Sequence, residues 1–197
     1  MTPVGYYGKV ATHGDFVARR LPPSFIDGWD AWLQAGLLHC QQTSGRDWLD
    51  IYCNGPVWHF ALSAGLCGPD AMVGVMIPSV DRVGRYFPLT LCAVMDADGG
   101  GHDEPGALPA DLFERSAAWF DTLEKLALSS LLEGFALASM DLSLIAMGLN
   151  GAPPWMPAMA GLAAFRTAGS PRMGPTVMTS AGLPPPAQFR TMFAGTD

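Results

Sequence analysis

The sequence predicts an α/β fold, a layered α/β/α sandwich in which a mixed central sheet is flanked by helices. Two kinds of segment carry that expectation. Residues 72–77 and 89–95 are nearly unbroken apolar runs of strand length, the pattern of strands covered on both faces. Interspersed with them, residues 25–37 and 113–131 repeat apolar side chains at helical spacing. Strands and helices that alternate along a chain pack as helices on both sides of a sheet. The middle strands follow one another at hairpin-like spacing, which argues against a sheet that is parallel throughout.

Taken in order, residues 4–10 mix Tyr6, Tyr7 and Val10 with Gly5 and Gly8 and read as a strand with close backbone approach. Thr12-His13-Gly14-Asp15-Phe16 is a turn signal. Pro22-Pro23-Ser24 opens a helix, with Ser24 as the expected N-cap and Asp27 three residues on. Phe25, Trp29, Trp32, Leu33 and Leu37 form its buried stripe. A short helix over 47–52 stops at Asn54-Gly55-Pro56. Residues 57–64 alternate, Trp58, Phe60 and Leu62 against His59 and Ser63, as a half-buried strand does.

Residues 96–109 are a loop rich in Asp and Gly. The next helix starts near Asp111, capped with Glu114, and buries Phe113, Ala117, Phe120, Leu123, Ala127 and Leu131. A further helix covers 140–149. Short strands follow near 161–167 and 176–179, then a small helix over 186–193. The whole is one domain, a main core over 1–150 with a Pro/Gly-rich segment, 151–197, packed on it.

A chain of 197 residues buries about 70% of its unfolded surface and needs no metal or disulfide staple. Hydrophobic residues make up 49% and charged residues 15%, a balance that leaves apolar surface available to a partner. The net charge is −7, and between Asp96 and Asp141 ten acids face two bases, Arg115 and Lys125. The only basic groupings are Arg19-Arg20 and Arg82 with Arg85, too few for a nucleic-acid surface. Cys40, Cys53, Cys67 and Cys92 lack metal-ligand spacing and read as reduced structural thiols. No cofactor is expected. No basic-then-apolar leader precedes Val4 and no apolar run approaches the roughly 20 residues of a membrane helix. The expectation is a cytoplasmic protein without membrane insertion.

Polar residues crowd into two stretches at strand ends. One is Gly8-Lys9-Val10-Ala11-Thr12-His13-Gly14-Asp15-Phe16; the other is Pro78-Ser79-Val80-Asp81-Arg82-Val83-Gly84-Arg85-Tyr86-Phe87-Pro88-Leu89. Binding groups commonly occupy such loops on a rigid scaffold. Asp81 can pair with Arg82 or Arg85, or with Lys9 from the first loop, and a guanidinium-held carboxylate fixes loop geometry. Gly14 and Gly84 are read as positions where a β-carbon would hinder the backbone. The pair of loops is either a structural ion network, a partner-contact surface or a small anion site.

These stretches carry a resemblance to the TagF family of type VI secretion accessories. The family pattern is a strand ending in G-K-x-P-x-x-G-D-F, a helix with W-x-x-W-L, and then P-S-x-D-x-x-G-R-x-F-P-L. Here Gly8-Lys9, Gly14-Asp15-Phe16, Trp29 with Trp32-Leu33, and the whole of the last motif match it. Gly182-Leu183-Pro184-Pro185 with Phe189 is similar to the C-terminal signature, while Ala11 departs from the usual proline.

The resemblance implies a post-translational negative regulator that binds the system's forkhead-associated scaffold protein and is not an enzyme. Lys9, His13, Asp15, Asp81, Arg82, Arg85, Tyr86 and Phe87 are then the candidate partner contacts. The alternative is a small hydrolase or anion-binding enzyme using His13, Asp15 and Arg82, since a His–Asp pair can act as an acid–base unit. Against it, no nucleophile stands out: Ala61-x-Ser63-x-Gly65 lacks the first glycine of a nucleophile elbow. No phosphate-binding glycine motif or paired metal ligands accompany it either.

Overall fold

Among the residues that the computed structural model describes (3–95, 112–150 and 161–195), seven strands assemble into one sheet. They are β1 (Gly5–Gly8), β2 (Val17–Arg19), β3 (Trp58–Leu62), β4 (Met72–Ile77), β5 (Leu89–Val94), β6 (Leu162–Thr167) and β7 (Thr176–Ala181). Across the sheet the order is β2-β1-β5-β4-β3-β6-β7, and every neighbouring pair is antiparallel.

The α/β class holds, but the expected mixed sheet is corrected to an antiparallel one. A parallel pair of neighbours needs a crossover connection. The long helical insertions join β2 to β3 and β5 to β6, strands that are not neighbours. Consecutive neighbours are joined by hairpins or loops instead.

The helices are α1 (Pro23–Ser44), α2 (Trp48–Cys53), α3 (Leu112–Arg115), α4 (Ala117–Ser129), α5 (Leu137–Asn150) and α6 (Pro186–Ala194). Successive strand residues project to opposite faces, and they enter two separate cores. Trp58, Phe60, Leu62, Met72 and Met76 pack with Trp29, Leu33, Phe189 and Phe193 from α1 and α6. Ala61, Val73, Val75, Ile77 and Leu91 pack with Phe120 and Leu123 of α4 and Met140 and Leu144 of α5.

The tryptophan stripe of α1 lies in the first core, with Trp29 4.6 Å from Trp32 and 4.7 Å from Phe60 between ring centres. Buried indoles need an acceptor for their N–H, and each has one. Trp29 donates to Thr90 Oγ1, Trp32 to the Pro184 carbonyl and Trp58 to the Met192 carbonyl. Phe189 of α6 sits directly over Gly36 of α1, where a β-carbon would lie 2.3 Å from its ring. The C-terminal elements therefore extend the sheet through β3–β6 pairing and complete its core.

Four local expectations change. The first helix starts at Pro23 with Pro22 as its extended cap and no side-chain cap bond, so Ser24 is not the N-cap. A proline already fixes the entry dihedral and lacks the amide that a cap would satisfy. The helix expected from Asp111 is two, broken at Ser116, and Leu131 beyond its end is 47% exposed. β3 is covered on both sides: His59 stacks on Phe120 at 4.8 Å and its Nε2 meets Glu124 Oε2 at 2.7 Å. Finally, β2 is an edge strand that the turn signal hid. The loop at 96–109 and Asp111 lie outside the described residues.

All four cysteines are free; three are buried and Cys53 is exposed. Burial pushes the Cys67 thiol up to about 12 and Cys40 up to about 11, which keeps both protonated and unreactive. No helix among the described residues is long and apolar enough to cross a membrane.

Candidate functional site

The two motif loops lie side by side because β1 pairs with β5, which sets Gly8 opposite Leu89. The first loop leaves the end of β1, and the second arrives at the start of β5. Gly8, at φ +140°, lets the strands approach; a β-carbon there would sit 2.1 Å from the Pro88 carbonyl oxygen.

Asp81 is the centre of the pair, with its side chain fully buried. Its Oδ2 receives Lys9 Nζ at 2.5 Å and Arg85 Nε at 2.6 Å. Its Oδ1 accepts the backbone amides of Val83 and Arg85, each at 2.9 Å. Desolvation pushes the carboxyl up. The Lys9 ammonium, the Arg85 amide and guanidinium and the Val83 amide outweigh it and hold the group well below the usual carboxylate range. Lys9 and Arg85 are therefore the partners among the pairings open in the sequence; Arg82 is not.

Further bonds lock the loops. The Arg85 guanidinium also donates to the Gly14 carbonyl, and the Arg82 amide donates to the His13 carbonyl at 2.9 Å. The Gly84 amide closes a turn onto the Asp81 carbonyl at 3.0 Å with φ +87°, a conformation glycine adopts without strain. Gly14 differs from expectation: a β-carbon there would meet nothing nearer than 3.5 Å. Ser79 Oγ donates to the Lys9 carbonyl at 2.8 Å. Beneath it, the Tyr52 hydroxyl donates to the Ser79 carbonyl and accepts the Ser79 amide, both at 2.9 Å.

The candidate residues thus divide by depth. Lys9, Asp81 and Phe87 are buried and Tyr86 is half-buried, so the first three support the loops from below. His13, Asp15, Arg82 and Arg85 reach the surface. Two residues outside that group join them there. Phe16 is 41% exposed, stacks on Tyr7 and lies edge-on to Phe87, with the Lys9 ammonium 4.7 Å from its ring centre. Val83 is 65% exposed at the tip of the second loop.

His13 and Asp15 make no hydrogen bond or ion pair with each other among the described residues. Asp15 instead caps the Phe16 amide at 2.8 Å, and His13 Nδ1 lies 3.0 Å from Thr12 Oγ1. No three-histidine, cysteine or carboxylate cluster that could hold a metal occurs among the described residues.

A second constellation, absent from the sequence reading, borders the first. Asp141 of α5 is clamped by Arg19 Nη1 at 2.8 Å and Arg20 Nη2 at 2.6 Å. Desolvation again raises this carboxyl, and the two guanidiniums more than offset it and hold it low. The clamp seats α5 beside β1 and β2. It leaves an open groove of about 570 Å³ between them, lined by Tyr6, His13, Arg19, Leu137, Asp141 and Leu142. No local signal in the sequence joins Arg19 to a carboxylate 122 residues away.

Residues 5–147 match the family model for the TagF N-terminal domain, described as type VI secretion system-associated. The chain belongs to the TagF family. A similar solved structure is the crystal structure of PA0076 from Pseudomonas aeruginosa PAO1. It is 33% identical, with a TM-score of 0.85 over 98% of this chain and 95% of that one. No curated protein matches the chain. Family membership makes this TagF-family chain an accessory of type VI secretion.

Proposed function

We propose that the protein is a post-translational negative regulator of type VI secretion, a binding protein that occupies the forkhead-associated scaffold and withholds it from assembly. One observation supports this reading above the others. The Lys9–Asp81–Arg85 network ties the two loops to each other and holds Phe16, Arg82 and Val83 outward on a rigid frame. Preorganised aromatic and arginine side chains contribute disproportionately to interface affinity, because little conformational entropy is lost when they dock. Repression by reversible occlusion needs such a surface and no chemistry. The protein is expected to act in the cytoplasm, where the scaffold assembles.

The test is binding of the purified scaffold protein to the purified wild type and to Val83→Ser/Arg82→Ala, measured by calorimetry. The double variant is expected to bind at least about tenfold more weakly with an unchanged melting temperature. Absence of binding by the wild type refutes the reading.

A further inference from the structure

The groove between α5 and the first loop has the makings of a docking surface whose charge and polarity specify its occupant. α5 is apolar on both sides. Met140 and Leu144 enter the core, while Leu142, 68% exposed, and Ile145, 39% exposed, point away from it. Residues three apart on a helix share a face, so these two form one apolar stripe, and Leu142 borders the groove. Large apolar side chains exposed together beside a groove commonly mark an interaction surface.

The opposite wall is cationic. The Arg19 side chain is 61% exposed although it reaches Asp141. Asp141 meets two guanidiniums, so this buried carboxylate leaves one positive charge over. Arg82 adds a second next to the groove, where its amide donates to the carbonyl of His13, and its guanidinium has no acidic partner among the described residues; Asp15 is the exposed carboxylate of the two loops. This edge is thus positive on a chain whose net charge is −7. Such an asymmetry orients a partner electrostatically.

We infer that the groove receives an acidic amphipathic segment of the protein partner, its apolar side on Leu142 and Ile145 and its carboxylates facing Arg19, Arg82 and His13. The inference rests on the proposed scaffold binding and assigns it a second contact beyond the loop tips. The Arg19–Asp141–Arg20 clamp acts as a positioning device, fixing the distance between the apolar stripe and the cationic wall. A basic partner segment would meet like charge on one wall and gain only the apolar contact.

The experiment uses the whole protein and the purified scaffold protein as probe. Leu142→Glu is expected to weaken binding about tenfold or more, and Leu142→Lys by less, since only the glutamate opposes an acidic segment. Leu38→Glu, at an exposed site of α1, is the control and should bind as the wild type. Raising the salt concentration should weaken wild-type binding and narrow the gap between the two Leu142 variants. If either variant fails to fold, Ala138→Glu and Ala138→Lys replace the pair on the same groove wall. A photo-crosslinker at position 142 should then capture a scaffold peptide rich in acids and large apolar residues.

The outcomes separate the two readings. No scaffold binding by the wild type removes the proposed function and this contact together. Wild-type binding that both Leu142 variants retain overturns the groove alone. Equal losses from Leu142→Glu and Leu142→Lys, or a crosslink within this chain in the presence of scaffold, overturns the acidic occupant.

Discussion

Tyr52→Phe removes one oxygen and should loosen the candidate surface from beneath. The hydroxyl is buried, and burial raises the phenol far above its usual range, so it keeps the proton it donates to the Ser79 carbonyl. The same oxygen accepts the Ser79 amide. After the substitution the carbonyl keeps one donor, the Phe87 amide at 3.1 Å, but the Ser79 amide has none. An unsatisfied buried donor costs about 1–3 kcal/mol. A neighbouring cavity of about 180 Å³, lined by Tyr52, Ser79 and Tyr86, decides where in that range the variant falls. Water reaching the amide through it gives about 1 kcal/mol; exclusion of water gives about 3. For a domain of this size each kcal/mol lowers the melting temperature by about 2–4 °C, so a fall of about 2–12 °C is expected. Thermal unfolding by circular dichroism measures it, and hydrogen exchange should show faster exchange confined to residues 78–88. A melting temperature within 1 °C of the wild type, with unchanged exchange in that loop, would refute the anchoring role of Tyr52.

Four other outcomes follow from the same geometry. Gly36→Ala gains about 1 kcal/mol of helix propensity, yet its β-carbon would meet the Phe189 ring at 2.3 Å. Overpacking of about 1–3 kcal/mol should therefore prevail, read as a lower urea midpoint. Arg82→Ala should leave the melting temperature unchanged, whereas Arg85→Ala should lower it, because only Arg85 ties Asp81 to Gly14; differential scanning fluorimetry separates them. The depressed folded-state pKa of Asp81 stabilises the protein above the unfolded value of about 4, and that stability is lost as pH falls toward the folded value. Asp81→Asn should thus melt lower at pH 7 and show a shallower fall in stability below about pH 4. A thiol reagent at neutral pH should modify the exposed Cys53, slowed by the raised pKa that partial burial gives its thiol, and the three buried cysteines only after denaturant is added.

Much of this architecture is legible along the chain where the burial pattern is strictly periodic. The α1 stripe is one case, since Phe25, Trp29, Trp32, Leu33 and Leu37 are all buried. The unbroken runs of β4 and β5 are another, each flanked by cores on both sides. Periodicity fails where polarity misstates burial. His59 reads as a solvent-facing residue, but its ring is flat enough to stack on Phe120 and its nitrogen finds Glu124. β2 is only three residues long, with Ala18 and Arg19 exposed, so it offers no pattern to detect.

The motif loops themselves are visible as crowded polar residues, and the pairings they offer Asp81 include Lys9 and Arg85 beside Arg82, which does not pair. Depth was not visible. A lysine in a turn suggests a surface contact, yet Lys9 is buried because a carboxylate meets it inside. Tyr52 and Asp141 were missed altogether. Each acts across the fold on a residue far away in sequence, and side-chain identity alone does not encode such a meeting.

The placement of β6 makes the folding unit longer than the recognisable one. The family match ends at residue 147, but the outer hydrogen-bonding edge of β3 is closed only when residues 162–167 arrive. During synthesis, a ribosome that has delivered the first 150 residues has made a sheet with Trp58, Phe60 and Leu62 beside a bare edge. Phe165, Phe189 and Phe193 are still missing from the core at that stage. Open apolar edges of this kind recruit other chains. A nascent chain would therefore be a client for chaperones until residues 162–193 emerge, a prematurely terminated one would remain so, and a gene fusion made at the family boundary would inherit an unfinished protein.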